Sequence, residues 1–262
     1  MNVISIQNAT VRIDGKTILD DLSWSVKRGE RSFILGANGA GKTTLVKIMT
    51  GFLWPLYGAR VELLGHRLGE VNLLELRRKI AWVSPMIHQW LPHPKWTGGE
   101  IVISGIDSTM GVYRDISDEE RTQARELLRL LRAEHLMEQR FVTMSSGEQV
   151  KILIARALIT DPELMILDEP NVYLDVTGRE FLLRTISELA AKRPDLTILF
   201  ITQRIEDILP VFHRGMILKQ GKIAAVGPRE AVLTEENLKM AFEMEVRLIP
   251  TESGRLWLVP RH

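Results

Sequence analysis

The sequence contains no cysteine, and this absence removes several kinds of chemistry at once. Without a thiol among its 262 residues, disulfide bonds, thiolate catalysis and iron–sulfur ligation are excluded, and six histidines are a poor basis for a structural zinc site. An excess of one charge is also missing, because 34 Lys and Arg residues stand against 33 Asp and Glu. This balance argues against a strongly basic nucleic-acid binder, so we expect no nucleic-acid partner.

Long hydrophobic runs are missing too. No apolar run approaches the roughly 20 residues that cross a bilayer, and the longer ones, such as 164–167, have the length of a buried strand. Residues 1–14 alternate between apolar and polar and include Arg12 and Asp14, which does not indicate a signal peptide. With 45% hydrophobic and 26% charged residues, the composition is that of a globular protein.

Hydrophobic periodicity predicts an α/β chain. Alternation on both sides of the Asp14-Gly15 turn indicates an antiparallel β start. Apolar runs predict strands at 31–35, 80–84, 164–167 and 197–201, and a closing hairpin at 216–226. Helical spacing predicts helices at 118–131, 146–159 and 177–192, and a short helix from 234 precedes a strand around Trp257. Residues 85–99, rich in Pro, His and Trp, are predicted to be irregular.

A glycine-rich loop lies between a predicted strand and a predicted helix. Its sequence, Gly36 to Thr44, fits G-x-x-x-x-G-K-[ST] in full. In such a loop consecutive N–H groups wrap a phosphate, Lys42 reaches the β- and γ-oxygens, and the Thr43 hydroxyl ligates Mg²⁺. A plain strand-to-helix turn is disfavoured because Lys-Thr and the preceding strand are both in place. We therefore expect nucleotide contacts from Gly36, Asn38, Gly39, Ala40, Gly41, Lys42, Thr43 and Thr44.

Two adjacent carboxylates follow the apolar run 164–167. Ligands bind at the carboxyl ends of strands in open α/β sheets, which makes Asp168 and Glu169 candidate site residues. Because successive strand residues point in opposite directions, we expect Asp168 to hold the magnesium shell while Glu169 activates the attacking water. An Asp-Glu pair alone is more often a solvated turn, but a phosphate loop upstream reverses those odds.

The segment Met144-Ser145-Ser146-Gly147-Glu148 precedes a predicted helix. Ser145, the Gly147 backbone and a helix N-terminus together form a possible anion site, although by itself the segment would be interpreted as a helix cap. It resembles the Leu-Ser-Gly-Gly-Gln signature of ATP-binding cassette (ABC) ATPases. The resemblance extends over nearly the whole chain, including Arg156, Pro170 and the D-loop aspartate position at Asp175.

This resemblance implies a P-loop NTPase of the ABC type. The implied fold has a mixed β-sheet core, an N-terminal antiparallel β subdomain and an inserted α-helical subdomain. We expect one domain, 1–262, with the helical part at about 86–157 inserted into an α/β core of 1–85 and 158–262. The family hydrolyses ATP with Mg²⁺, which implies Lys42 and Glu169 as catalytic residues.

The resemblance also implies a second copy of the chain. In the family the signature segment grips the γ-phosphate of the ATP held by the opposite subunit, so that two cassettes close head to tail. That role would fall to Ser145, Gly147 and Glu148, and Asp175 would link the two sites.

Three positions depart from the family pattern. Gln203 replaces the switch histidine, and because an amide donates a hydrogen bond but carries no charge, we predict slow hydrolysis with ATP binding preserved. Ile13 stands near the place of the aromatic residue that stacks on adenine, which predicts weaker base selectivity. Gln89 is the nearest candidate for the metal-sensing Q-loop glutamine.

Nearby, Trp90 and Trp96 have two interpretations: packing in the helical subdomain, or a surface for a membrane subunit.

The resemblance implies the ATPase subunit of a membrane transporter. Residues 221–228 and 230–234 resemble importer ATPases for metal chelates such as iron–siderophore, haem, cobalamin or molybdate. The implied partners are transmembrane permease subunits, a second copy and, indirectly, a solute-binding protein. The chain would then be cytoplasmic and peripheral on the inner face of the membrane. Two alternatives stay open: a soluble ABC ATPase of the iron–sulfur assembly type, and a weakly hydrolysing nucleotide switch motivated by Gln203.

Overall fold

A computed structural model describes residues 1–84, 95–107, 109, 111–172 and 174–261. The chain divides into two compact units, one formed by Met1–Arg77 with Pro194–His262 and the other by Arg78–Arg193. The predicted single domain with a helical insertion at about 86–157 stays a prediction. Within the described residues, no helix is both long enough and apolar enough to cross a membrane.

The described strands and helices follow the predicted order closely. The strands are β1 (Asn2–Ile13), β2 (Lys16–Lys27), β3 (Arg31–Leu35), β4 (Arg60–Leu63), β5 (His66–Arg67), β6 (Ile80–Val83), β7 (Leu164–Asp168), β8 (Thr197–Thr202), β9 (Arg214–Lys219), β10 (Lys222–Pro228), β11 (Val246–Pro250) and β12 (Leu256–Pro260). The helices are α1 (Lys42–Met49), α2 (Leu73–Arg77), α3 (Gly98–Ile103), α4 (Asp118–Leu130), α5 (Ser146–Leu158), α6 (Val176–Lys192), α7 (Arg229–Val232) and α8 (Glu235–Phe242).

An antiparallel sheet with the order β2-β1-β4-β5 forms the start of the first unit. The two longest strands meet at a two-residue turn, where Asp14 and Gly15 both have positive φ values of 48° and 75°. This is the backbone of a type I′ turn, whose twist matches that of the flanking strands. The predicted antiparallel β start is therefore confirmed, whereas β4 and β5 had no sequence signal that we recognised.

The second sheet of this unit places the predicted phosphate loop. Its strands follow the order β10-β9-β3-β8, with β9 and β10 antiparallel and β3 parallel to both of its neighbours. The sheet is thus mixed, as predicted. Leu35 of β3 pairs with Thr202 of β8, so the residues that follow these two strands leave from the same edge.

Capping boxes set the starts of three helices in the second unit. Ser117 caps α4 and Ser145 caps α5, each in a reciprocal capping box with the glutamate three residues on. The expectation of irregular chain up to residue 99 is wrong at its end, because Thr97 and Glu100 form another capping box that starts α3 at Gly98. Residues 85–94 lie outside the described part. The strands β6 and β7 run parallel in this unit.

Candidate functional site

The loop after β3 has the backbone that a phosphate loop requires. The Gly36 N–H donates to the Thr202 carbonyl at 3.3 Å, and a Cβ on Gly36 would lie 2.5 Å from the Leu218 carbonyl oxygen. Gly41, at the N-cap of α1, has φ 103°. A side chain at the first position would clash and one at the second would be strained, so both positions require glycine.

Lys42 is the first residue of α1, and its side chain reaches back to this loop. The residue is 5% exposed, and its ammonium donates to the carbonyls of Gly36 at 2.8 Å and Ala37 at 2.9 Å. Thr43 beside it is exposed. Among the described residues no side chain caps α1 and no acidic residue lies in its first turn. The positive end of the helix is therefore left for an anion.

Gln203 follows β8 directly, at the sheet edge from which the phosphate loop leaves β3. The preceding Thr202 is fully buried. Its hydroxyl donates to the Asp207 carboxylate at 3.2 Å and accepts from the Arg204 N–H at 3.0 Å. The segment that carries Gln203 is thus held by side-chain hydrogen bonds, and the structure brings the switch position and the phosphate loop to one edge.

The second unit carries the paired carboxylates. Asp168 ends β7 and is 4% exposed. Glu169 is half-buried and lies beyond the strand with φ 49°. Our argument from strand alternation is wrong here, because a left-handed residue turns the chain, at a cost of roughly 1–2 kcal/mol for a residue with a side chain. The two carboxylates still differ in burial, but the turn at Glu169, and not strand alternation, causes the difference.

The signature segment contains a charge where we predicted an anion site. Glu148 Oε2 accepts from the Ser145 N–H and from the Ser145 hydroxyl, both at 2.8 Å. These hydrogen bonds, and more weakly His135 with its nitrogen 3.7 Å from Glu148 Oε1, lower the pKa of Glu148. Ser145 therefore donates to its own glutamate. The Ser-x-x-Glu spacing predicts this capping box, a signal that we did not use.

The N-terminus of α6 packs beside the signature segment. A Cβ on Gly147 would lie 3.3 Å from the Cα of Gly178, which is close contact between the two backbones. Asp175 is exposed and caps α6, its Oδ1 accepting from the Gly178 N–H at 2.7 Å. Asp175, Ser145 and Gly147 thus lie in the same unit.

The remaining predicted positions are Ile13, Gln89 and the two tryptophans near it. Ile13 is 43% exposed at the end of β1. Gln89 and Trp90 lie outside the described residues. Trp96 packs edge-on against Tyr113, with ring centroids 5.9 Å apart, which favours the packing interpretation for that residue.

The phosphate loop also borders a cleft that sequence reasoning missed. Its volume is about 240 Å³, and its lining includes Asn38 and Gly39 on one side and Gln220 and Glu243 on another. Lys219 pairs with Glu243 at 2.8 Å, which holds α8 against β9. The C-terminal residues are far from the loop in sequence, so no spacing rule connects them with it.

Comparison with known proteins supports the same family. A family model described as ABC transporter matches residues 19–172. The uncharacterized ABC transporter ATP-binding protein YlmA of Bacillus subtilis is 39% identical over 94% of this chain and 93% of its own length. An ABC transporter ATP-binding protein of Streptococcus mutans is 34% identical over 100% of both chains. The hemin import ATP-binding protein HmuV of Nocardia farcinica is 30% identical, over 94% of this chain and 84% of its own.

Solved structures share the fold. A transporter described as of metal-chelate type, in an inward-facing conformation, has a TM-score of 0.79 at 22% identity, covering 100% of this chain and 98% of its own. CbiO1 of Clostridium perfringens, part of the complex cbiONQ, has a TM-score of 0.78 at 24% identity, covering 91% and 93%. The dimeric cassette MJ0796 with ADP and Pi has 0.71 at 23%, covering 86% and 98%. The predicted fold class is confirmed, and the chain belongs to the ABC transporter family as an ATP-binding cassette that hydrolyses ATP.

Proposed function

We propose that this chain powers an importer for a metal chelate, working as a homodimer beneath membrane-embedded permease subunits. The observation that carries the ATPase part is the pairing of β3 with β8, which brings the phosphate loop and Gln203 to one sheet edge. The likeness to HmuV over most of both chains supports import of a chelate such as hemin.

The residues present fit ATP and Mg²⁺. Gly36 lets the loop pack against the Leu218 carbonyl, and Gly39 in the same loop has positive φ with open space where a Cβ would lie. Lys42 supplies the positive charge at this loop. Thr43 and Asp168 offer hydroxyl and carboxylate oxygens, which are the ligands that Mg²⁺ prefers. When bound, the metal ion neutralises charge on the β- and γ-phosphates.

Two side chains act on the attacking water and the γ-phosphate. Glu169 would accept the proton of the water, as a half-buried carboxylate beyond the end of its strand. Gln203 would donate an amide hydrogen bond to the γ-phosphate. Because the amide is neutral, it stabilises the developing charge less than an imidazolium does, so turnover is slow while binding persists.

A second copy completes the proposed cycle. The signature segment of one copy would bind the γ-phosphate held by its partner, through Ser145 and the backbone of Gly147. For this to happen the Ser145 hydroxyl must turn from Glu148 toward the phosphate. The dimeric MJ0796 cassette supports pairing of this kind. ATP then closes the dimer, and hydrolysis opens it.

The proposed partners place the chain at the inner face of the cell membrane. The complex that contains CbiO1 supports assembly with other transporter subunits, and a solute-binding protein would act only indirectly.

The test is purification of the tagged chain from detergent-solubilised membranes, with ATP turnover measured against Glu169→Gln. We expect an integral membrane protein to co-purify and the variant to lose turnover. Recovery of the chain alone from the soluble fraction would instead favour a non-transport ABC ATPase.

A further inference from the structure

The C-terminal hairpin, β11 with β12, contacts the segment that follows Gln203. The Arg255 Nε–H donates to the main-chain carbonyl of Glu206 at 2.8 Å. The Leu258 N–H donates to the Glu206 side chain, Oε1, at 3.4 Å. Glu206 lies in the 3₁₀ turn Ile205–Asp207, so the hairpin holds this turn through both its backbone and a side chain.

The same turn is fixed on its other side by β8. Asp207 is fully buried and accepts the hydroxyl hydrogen bond of Thr202 at 3.2 Å. The Asp207 N–H donates to the Arg204 carbonyl at 3.3 Å, which closes the turn. Gln203 therefore lies in a short segment with fixed points before and after it.

The hairpin is hydrogen-bonded to two other elements of the first unit, α8 and α7. The Leu248 N–H donates to Glu235 Oε1 on α8 at 2.9 Å. Arg229 of α7 donates to the Gly254 carbonyl in the hairpin turn at 2.8 Å. These hydrogen bonds fix the position of the hairpin, and the hairpin in turn fixes the position of the 3₁₀ turn that it contacts.

We propose that the hairpin positions the switch, with Arg255 acting through Glu206 to place Gln203. This inference rests on the proposed role of Gln203 in hydrolysis. A neutral amide contributes through a directional hydrogen bond, which weakens steeply as its angle departs from linear. Gln203 cannot compensate for misplacement by charge, so the position of its backbone controls the rate. Arg255 and Glu206 are positioning residues in this scheme.

The first experiment measures ATP turnover and nucleotide affinity for Arg255→Met, which keeps the aliphatic stem and removes the donor. We expect kcat to fall about 10-fold, because small displacements of catalytic groups cost this much or more, with the Kd for ATP unchanged. Arg255→Lys keeps a donor and should recover part of the rate. Arg247→Met is the matched control, since Arg247 is an exposed arginine on β11 of the same hairpin; it should leave turnover unchanged.

A structural effect is separated from positioning by the thermal unfolding midpoint. If Arg255→Met unfolds early, Glu206→Ala serves in its place, because it removes the acceptor of the Leu258 N–H and leaves Arg255 intact. An equal loss of rate and of ATP affinity in both variants would overturn the inference.

The second experiment repeats Arg255→Met in a Gln203→Ala background. If the hairpin acts through Gln203, the second substitution has no further effect on kcat. The same fold-loss in both backgrounds would overturn the hairpin inference and leave the proposed ATPase function standing. If Gln203→Ala alone leaves kcat unchanged, the role of Gln203 fails and this inference fails with it.

Discussion

The hydroxyl of Ser145 donates to the carboxylate of Glu148 at 2.8 Å, at the start of the helix that follows the signature segment. The family has glutamine at the second of these positions. A negative charge thus lies where the proposed dimer would bring a γ-phosphate, and it competes with that phosphate for the serine.

Replacing this charge should strengthen the ATP-bound dimer. Glu148→Gln keeps an acceptor for Ser145 and removes the repulsion, which is about 1 kcal/mol for two charges 4 Å apart in water. The proposed homodimer contains two such sites, so the repulsion removed is about 2 kcal/mol, and we expect the dimer dissociation constant with ATP to fall about 30-fold. Analytical ultracentrifugation measures it in a Glu169→Gln background that blocks hydrolysis. A weaker dimer would contradict the proposed orientation. Glu134→Gln, at an exposed acidic residue paired with Arg129 at 2.9 Å, is the control.

The same glutamate predicts a pH dependence of stability. Its pKa is lowered by hydrogen bonds from Ser145, so its stabilising effect is present above the unfolded pKa of about 4.3 and is lost as the pH falls through the folded value. The difference in unfolding free energy between wild type and Glu148→Gln should therefore shrink below about pH 4. Urea unfolding at several pH values checks this. If the difference in unfolding free energy grows as the pH falls, the prediction is contradicted.

Gln203→His should raise the rate of hydrolysis. A histidine at this position can carry positive charge toward the γ-phosphate, which the amide cannot. We expect kcat to rise about 10-fold or more, since charge-assisted hydrogen bonds are roughly twice as strong as neutral ones, while ATP affinity stays the same. Steady-state ATPase assays decide this, and an unchanged or lower rate sinks the prediction.

Ile13→Tyr should increase selectivity for adenine. Ile13 is 43% exposed at the end of β1, and base–aromatic stacking contributes about 1–3 kcal/mol per base. We expect the wild-type chain to bind ATP and GTP with comparable affinity and the variant to bind ATP at least about 5-fold more tightly. Arg12→Tyr places the same ring on the opposite face of the strand and should change neither affinity. A strong ATP preference in wild type would count against the prediction.

Much of the candidate site could be predicted from the sequence because its requirements are local. The phosphate loop needs glycines, Lys42 and Thr43 between a strand and a helix, and adjacent residues meet those needs. Asp168 follows an apolar run that has the length of a buried strand. The position of Gln203 likewise follows from the strand before it.

Other features depend on packing between distant parts of the chain. The turn that sets the direction of Glu169 has no sequence signal of the kind that glycine provides, since a residue with a side chain adopts positive φ only when its surroundings hold it there. The contact between Arg255 and Glu206 joins residues on separate elements, and their spacing carries no periodicity.

The sequence by itself thus determined that this protein is an ATP-hydrolysing cassette, because a phosphate loop requires particular residue types at short spacing. Only the tertiary structure decided that the C-terminal hairpin contacts the segment after Gln203, and that the chain turns at Glu169 through a positive φ. Both arrangements follow from which backbone and side-chain groups meet in the folded chain, a matter that burial and hydrogen bonding settle together.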